Sequence, residues 1–464
     1  MQKIRTPFWR RLIGSRQFYK AVLAITLPIM LQNGITNFVG LLDNIMVGRV
    51  GTNQMTGVAI SNQLFLVINL CFYGATAGAG IFTAQYYGAG EMEALRHTVR
   101  YKVIVTAIIA ALGISICLLF GQPLIKLFLG GQASECDPAV VLDHAWKYMK
   151  IMLIGYVPFG IATIYAGTLR ETGKTVFPMV ASIVAVFVNL VFNYLLIFGK
   201  FGFPQLGVEG AAVATVISRF VEAAIVVIGT HANKKNTFVV GLYKSLKVPV
   251  ALAKDITKKG MPLLLNECMW SLGVTIISQC YSVRGVDVVA GMNIANTVHN
   301  FFFMIAMSLG NAIAIMVGHQ LGAGRFDEAK DTVLKLTAFS VLSCIFGGII
   351  MALLATPFAN IYNTSDSIKE LAVKIMWIYS ACLPIIGFVN STYFTLRSGG
   401  KTGITFAFDC GYTWLILVPI AFCVTRFTSA NIILIFGLCQ ASEVVKAVAG
   451  CVLLKMGVWI NKLN

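Results

Sequence analysis

The amino-acid sequence predicts an all-α polytopic membrane protein of twelve transmembrane helices in two pseudo-symmetric six-helix lobes, and three observations carry that reading. Apolar residues make up 57% of the 464-residue chain and charged residues only 12%, too little polar surface to coat a water-soluble globule of this size. Stretches of about 20 mostly apolar residues, the length that crosses a hydrocarbon core, recur from Phe18 to Leu454. The second half of the chain also repeats the first in register.

Taken in order, the spans fall near 18–45, 57–86, 101–121, 145–169, 175–198 and 210–230, then 261–283, 287–318, 335–358, 370–396, 403–425 and 430–454. Lys3, Arg5, Arg10, Arg11, Arg16 and Lys20 precede or open the first apolar stretch, which is too long for the core of a cleaved signal and reads as a membrane anchor. With that end in the cytoplasm, most of the 36 Lys and Arg residues fall on cytoplasmic segments. The expectation is a multi-pass protein of the cytoplasmic membrane with both termini inside. The net charge of +17 then reflects topology and contact with anionic lipid, and nucleic acid is not an expected partner. The eleven cysteines lie mostly within spans and form no CxxC or Cys/His cluster, so neither a disulfide framework nor a zinc site is predicted.

The repeat is explicit. Leu27-Pro28 recurs as Met261-Pro262, Gly57-x-x-Ile60-x-Asn62 as Gly291-x-x-Ile294-x-Asn296, and Gly88-Ala89-Gly90 as Gly322-Ala323-Gly324, all offset by 234. Further on, Leu169-Arg170-x-x-Gly173-Lys174-Thr175 matches Leu396-Arg397-x-x-Gly400-Lys401-Thr402 at an offset of 227, the difference lying in a shortened loop. Six spans per half is an even number, so the repeats are parallel and related by an axis along the membrane normal. The predicted domains are an N-terminal lobe over 1–230, a cytoplasmic linker over 231–260 and a C-terminal lobe over 261–464. The linker holds seven lysines and reads either as an amphipathic stretch on the membrane surface or as a solvated connector.

An ionisable side chain within a span costs roughly 3 kcal/mol or more, so those that persist point to mechanism. Asp43, near the end of the first span, reads either as a helix-end cap or as a cation ligand. Asn189 and Asn193 stand one turn apart on the fifth span and would join Asp43 in an oxygen-rich cluster if those spans meet; interhelical hydrogen bonding is the alternative. Glu267, in Leu263-Leu264-Leu265-Asn266-Glu267, has no basic residue within a turn. It either exchanges a proton or a cationic substrate, or snorkels to the surface beside Lys258 and Lys259. Asp409 reads equally as a ligand or as a satisfied core carboxylate. Arg219 with Glu222, and Glu443 with Lys446, are three residues apart on helices and are expected to neutralise each other. Phe65, Tyr156, Trp270, Phe301, Phe302, Phe303 and Met304 are suited either to an apolar cavity that stacks flat organic cations or to lipid-facing packing.

The two Gly-Lys-Thr triplets lack the upstream glycine of a phosphate loop, so ATP is not the expected energy source. The five histidines are scattered, and no catalytic constellation argues for an enzyme.

Leu27-Pro28 followed by Leu42-Asp43-Asn44-Ile45-Met46-Val47-Gly48, with Met261-Pro262, Glu267 and Val317-Gly318-His319-Gln320-Leu321-Gly322 in the second half, resembles the multidrug and toxic compound extrusion (MATE) family over essentially the whole chain. The resemblance implies two lobes in a V and a secondary antiporter that exports organic cations or drugs against Na⁺ or H⁺ by alternating access. It maps coupling and substrate roles onto Asp43, Asn189, Asn193, Thr215 and Glu267, with Na⁺ at Asp43, Asn189 and Asn193 as the one metal in view. A tenth-span position that is aspartate in NorM-like relatives is Asn390 here, which puts the second-lobe cation site in doubt; Asp409 in the neighbouring span is the candidate replacement. No cofactor is expected. The expected partners are small organic cations and membrane lipids, with the chain acting as a monomer. The alternatives are a flippase of lipid-linked oligosaccharides, whose chains usually resemble fourteen-span proteins with a basic cavity, and an exporter of a specific metabolite.

Overall fold

A computed structural model describes residues 12–129, 137–362 and 364–463; Lys3, Arg5, Arg10 and Arg11 lie outside them. Eleven helices among the described residues are long and apolar enough to cross a membrane, and one bent pair supplies a twelfth span. The first half comprises α1 (Arg16–Gly48), α2 (Thr52–Ala89), α3 (Met92–Leu129), the pair α4 (Pro138–Ile154) and α5 (Tyr156–Glu171), α6 (Val176–Phe198) and α7 (Val208–Ala232). The second comprises α8 (Val250–Ser282), α9 (Val286–Gly322), α10 (Phe326–Ala359), α11 (Asp366–Ser398), α12 (Thr402–Phe427) and a final span of α13 (Ile432–Ala441) and α14 (Glu443–Met456).

Two elements differ from the sequence reading. The fourth span is broken by 47° between α4 and α5. Pro158, three residues past the break, has no N–H to offer the carbonyl one turn back, and Gly155 instead bonds to the carbonyl of Met152 at 3.0 Å. The linker is also shorter than 231–260, because α8 begins at Val250, directly after Pro249. What precedes it is attached to the N-terminal unit at several points. Phe238 and Leu242 are buried, and Arg100 of α3 donates to the carbonyls of Gly241 at 3.0 Å and Leu242 at 2.9 Å. The Tyr243 hydroxyl meets that of Tyr165 on α5 at 2.5 Å. Part of this segment is therefore docked against α3 and α5, while Val240, Tyr243 and Leu246 remain exposed.

By contacts the chain divides into two compact units whose boundaries cut through helices. The C-terminal unit takes the segment up to Met30, Ala84–Gly90 and everything from Met261 onward; the N-terminal unit takes Leu31–Thr83 and Glu91–Gly260. The opening of α1 thus packs with the second repeat, Val22 being buried in one cluster with Leu309, Ile313 and Val317. In reciprocal fashion the opening of α8 belongs with the first repeat, where Ile256 is buried and Gly260 lies against Gly78. In each helix a proline, Pro28 or Pro262, stands within three residues of the transfer.

The internal repeat is visible in the backbone. Gly173 and Gly400 end α5 and α11 with φ of +80° and +69°, and each donates to the carbonyl of the matched arginine, Arg170 or Arg397, at 2.9 Å. Within the C-terminal unit the repeated glycines also face their counterparts. A Cβ on Gly88 would lie 2.0 Å from the carbonyl oxygen of His319, and one on Gly322 would lie 1.9 Å from that of Gln85. Gln85 and His319 are themselves equivalent at the repeat offset, so the contact is symmetric.

Candidate functional site

In the N-terminal unit, α1, α6 and α7 converge on a polar cluster. Asn189 and Asn193, one turn apart on α6, face Asp43 of α1, because side chains at i and i+4 share a helix face. Asn193 Nδ2 donates to Asp43 Oδ1 at 2.6 Å. With its amide nitrogen turned towards the carboxylate, Asn189 lies 3.1 Å from both oxygens of Asp43 and 3.3 Å from Thr215 Oγ1 on α7. Both asparagines are buried, and the buried Asn193 Oδ1 accepts no hydrogen bond among the described residues. No ammonium or guanidinium among the described residues forms an ion pair with the Asp43 carboxylate, which is held by amides. A carboxylate among two amides and a hydroxyl, not paired with an ammonium or guanidinium among the described residues, is suited to a small hard cation or a proton. All four first-half candidates, Asp43, Asn189, Asn193 and Thr215, are thus brought together.

The second-half candidates are arranged differently. Asp409 of α12 accepts from Asn266 Nδ2 of α8 at 2.9 Å and from Lys446 Nζ of α14 at 2.6 Å. It sits in a stretch of α12, Ala407–Gly411 and Thr413–Leu417, wound as π-helix, a local overwidening that re-aims side chains. Glu267 lies one residue beyond Asn266, with Arg397 and Asp409 as the charges it feels. Asn390 is not drawn in, since its amide nitrogen donates to the carbonyl of Ile386 one turn back on its own helix.

Two expected ion pairs are absent among the described residues. Lys446 reaches Asp409 rather than Glu443. The guanidinium of Arg219 lies over the rings of Phe159 and Tyr156, at 4.8 and 5.4 Å from their centroids, rather than pairing with Glu222. Phe65 and Tyr156 belong to the buried core of the N-terminal unit, while Trp270 and Phe301 are surface-exposed. Sequence reading missed Asn266 and Lys446 as partners of Asp409. The first was adjacent to the flagged Glu267; the second stood a turn from a decoy acid. It also missed a buried ion pair at the end of α5, where Lys102 of α3, 1% exposed, pairs with Glu171.

Two repeated sets of membrane-length helices, each holding a partly buried carboxylate–amide cluster at helix crossings, define a polytopic membrane protein with ionisable groups inside its spans. The model of the MatE family matches residues 28–195 and 262–423, and the chain belongs to that family of transporters. Among relatives, it is 29% identical over 412 residues to a probable multidrug resistance protein NorM of Thermotoga maritima, covering 88% of this chain and 86% of that protein. It is 24% identical over 364 residues to the multidrug resistance protein MdtK of Edwardsiella ictaluri, covering 77% of each. The fold matches the Vibrio cholerae MATE transporter VcmN in its bent form, with a TM-score of 0.84 at 18% identity over 95% of this chain and 97% of that one. It equally matches a MOP superfamily transporter of Pyrococcus furiosus, with a TM-score of 0.82 at 19% identity over 98% of each chain.

Proposed function

We propose that the chain is a multidrug efflux antiporter that exports organic cations across the cell membrane, driven by inward movement of Na⁺ or H⁺ through the Asp43 cluster. The observation that carries this reading is a partly buried carboxylate held by amide nitrogens, with a hydroxyl close by and no counter-charge paired to it among the described residues. Such a group is costly in a membrane unless a cation or proton visits it. The names of the NorM and MdtK relatives support a multidrug substrate range.

In this mechanism Asn193 and Asn189 hold the Asp43 carboxylate in one orientation, and the entering cation neutralises it. Occupancy then shifts the balance between two conformers by the difference in cation affinity between them, which is the most any ligand can contribute. Transport is measured as efflux of a fluorescent organic cation from proteoliposomes under an imposed Na⁺ or H⁺ gradient. Wild type is expected to respond to one of the gradients, and Asp43→Asn to lose the response. Efflux from Asp43→Asn at the wild-type rate would refute the assignment of the coupling site.

A further inference from the structure

The two halves treat their aspartates unequally. Asp43 is held by amides alone, whereas Asp409 carries the Lys446 ammonium at 2.6 Å on one oxygen and the Asn266 amide at 2.9 Å on the other. Lys446 is 91% buried, its side chain being only 9% exposed, and Asp409 is 14% exposed, so water contributes little to either charge. The ammonium is further held between the rings of Tyr412 and Phe408, at 5.2 and 5.5 Å from their centroids. Glu443, one turn earlier on α14, adds negative charge around it. Asn266 is fixed in turn, its Oδ1 accepting from the Cys410 thiol at 3.2 Å, and α12 is pinned to α8 by Trp414 Nε1 donating to the carbonyl of Met269 at 3.0 Å.

We propose that Lys446 is a tethered counter-cation, occupying at Asp409 the place that a free monovalent cation takes at Asp43, so that the second half is closed to external cations. The ammonium is covalently attached, and its local concentration at Asp409 far exceeds that of any dissolved ion. Removing it leaves the partly buried Asp409 carboxylate with Glu443 nearby, carboxylate oxygens of the kind an alkali cation takes. Lys446 thereby sets how many cations the protein binds. The corollary that coupling runs through Asp43 alone rests on the antiport reading above; the closure of Asp409 does not.

The test is the number of sodium ions bound per chain, measured by equilibrium dialysis with radioactive Na⁺ on the purified full-length protein in detergent. Lys446→Met and Lys446→Gln are each expected to bind one more Na⁺ than wild type. Lys446→Arg, which keeps the charge, and Lys446→Met combined with Asp409→Asn are expected to return to the wild-type number. Lys446→Gln retains a hydrogen-bond donor towards Asp409 and so guards against loss of fold in the methionine variant. An unchanged count in folded Lys446→Met or Lys446→Gln overturns the proposal. Misfolding of both, rescued by the added Asp409→Asn change, would also overturn it by assigning the pair to stability. Wild type lacking gradient-driven efflux, with counts that change as expected, would refute the antiporter and leave the tethered cation standing.

Discussion

At the scale of single residues, charge in the membrane interior is legible in sequence while its partner often is not. Asp43 with Asn189 and Asn193 could be proposed in advance, because four-residue spacing places the amides on one face and the family resemblance brings Asp43 to them. Asp409 could not, because its partner Lys446 lies 37 residues away and the pairing depends on how α12 crosses α14. Helical spacing instead offered Glu443, the wrong acid. The same blindness hid Lys102, whose ammonium meets Glu171 at a separation of 69 residues and also lies 3.4 Å from Thr168 Oγ1. Removing one partner of a buried pair exposes the other to the full cost of desolvation. Glu171→Ala should therefore destabilise the protein by about 3–5 kcal/mol, with part of the loss recovered when Lys102→Met is added. Thermal unfolding of the two variants in detergent checks this.

At the scale of elements, the number and order of helices followed from apolar run length alone, since nothing but helix satisfies the backbone in a segment that long without water. The errors came where polar composition masked packing. The segment ahead of Pro249 reads as a surface amphipath or a solvated connector, yet two of its carbonyls are gripped by Arg100 and Phe238 and Leu242 are buried. Composition weighs a lysine stem and a lysine charge together, whereas docking uses the apolar residues between them. If the Arg100 contacts hold the segment down, Arg100→Ala leaves two carbonyls without their donor, at about 1–3 kcal/mol each. Limited trypsin digestion of the folded protein should then cut at Lys244 and Lys247 several-fold faster than in wild type. Equal rates would mean that Phe238 and Leu242 suffice to anchor it.

At the scale of the whole molecule, the tandem repeat was readable because glycines mark it, and the structure explains why glycine is required at its most closely packed point. Gly88 and Gly322 each face the other repeat's backbone with no room for a methyl group. Overpacking of that kind costs typically about 1–3 kcal/mol, more when backbone must move. Gly88→Ala and Gly322→Ala are expected to lower the unfolding temperature by similar amounts, as symmetric contacts should, and a large inequality would show that the two repeats contribute unequally there. What could not be read was the exchange of helix ends between the compact units, because each half looks self-sufficient in its own apolar pattern.

That exchange has a consequence for the order in which the protein is made. Val22, early in α1, finds Leu309, Ile313 and Val317 only after about three hundred further residues have been synthesised and inserted. Until then the leading helix has lipid where its final neighbours will be. Domains emerging from a ribosome ordinarily fold in the order of their synthesis. Here the N-terminal unit can complete its contacts once α8 has begun, while the opening of α1 must wait for α9, so α1 enters the membrane well before the neighbours that lock its opening in place.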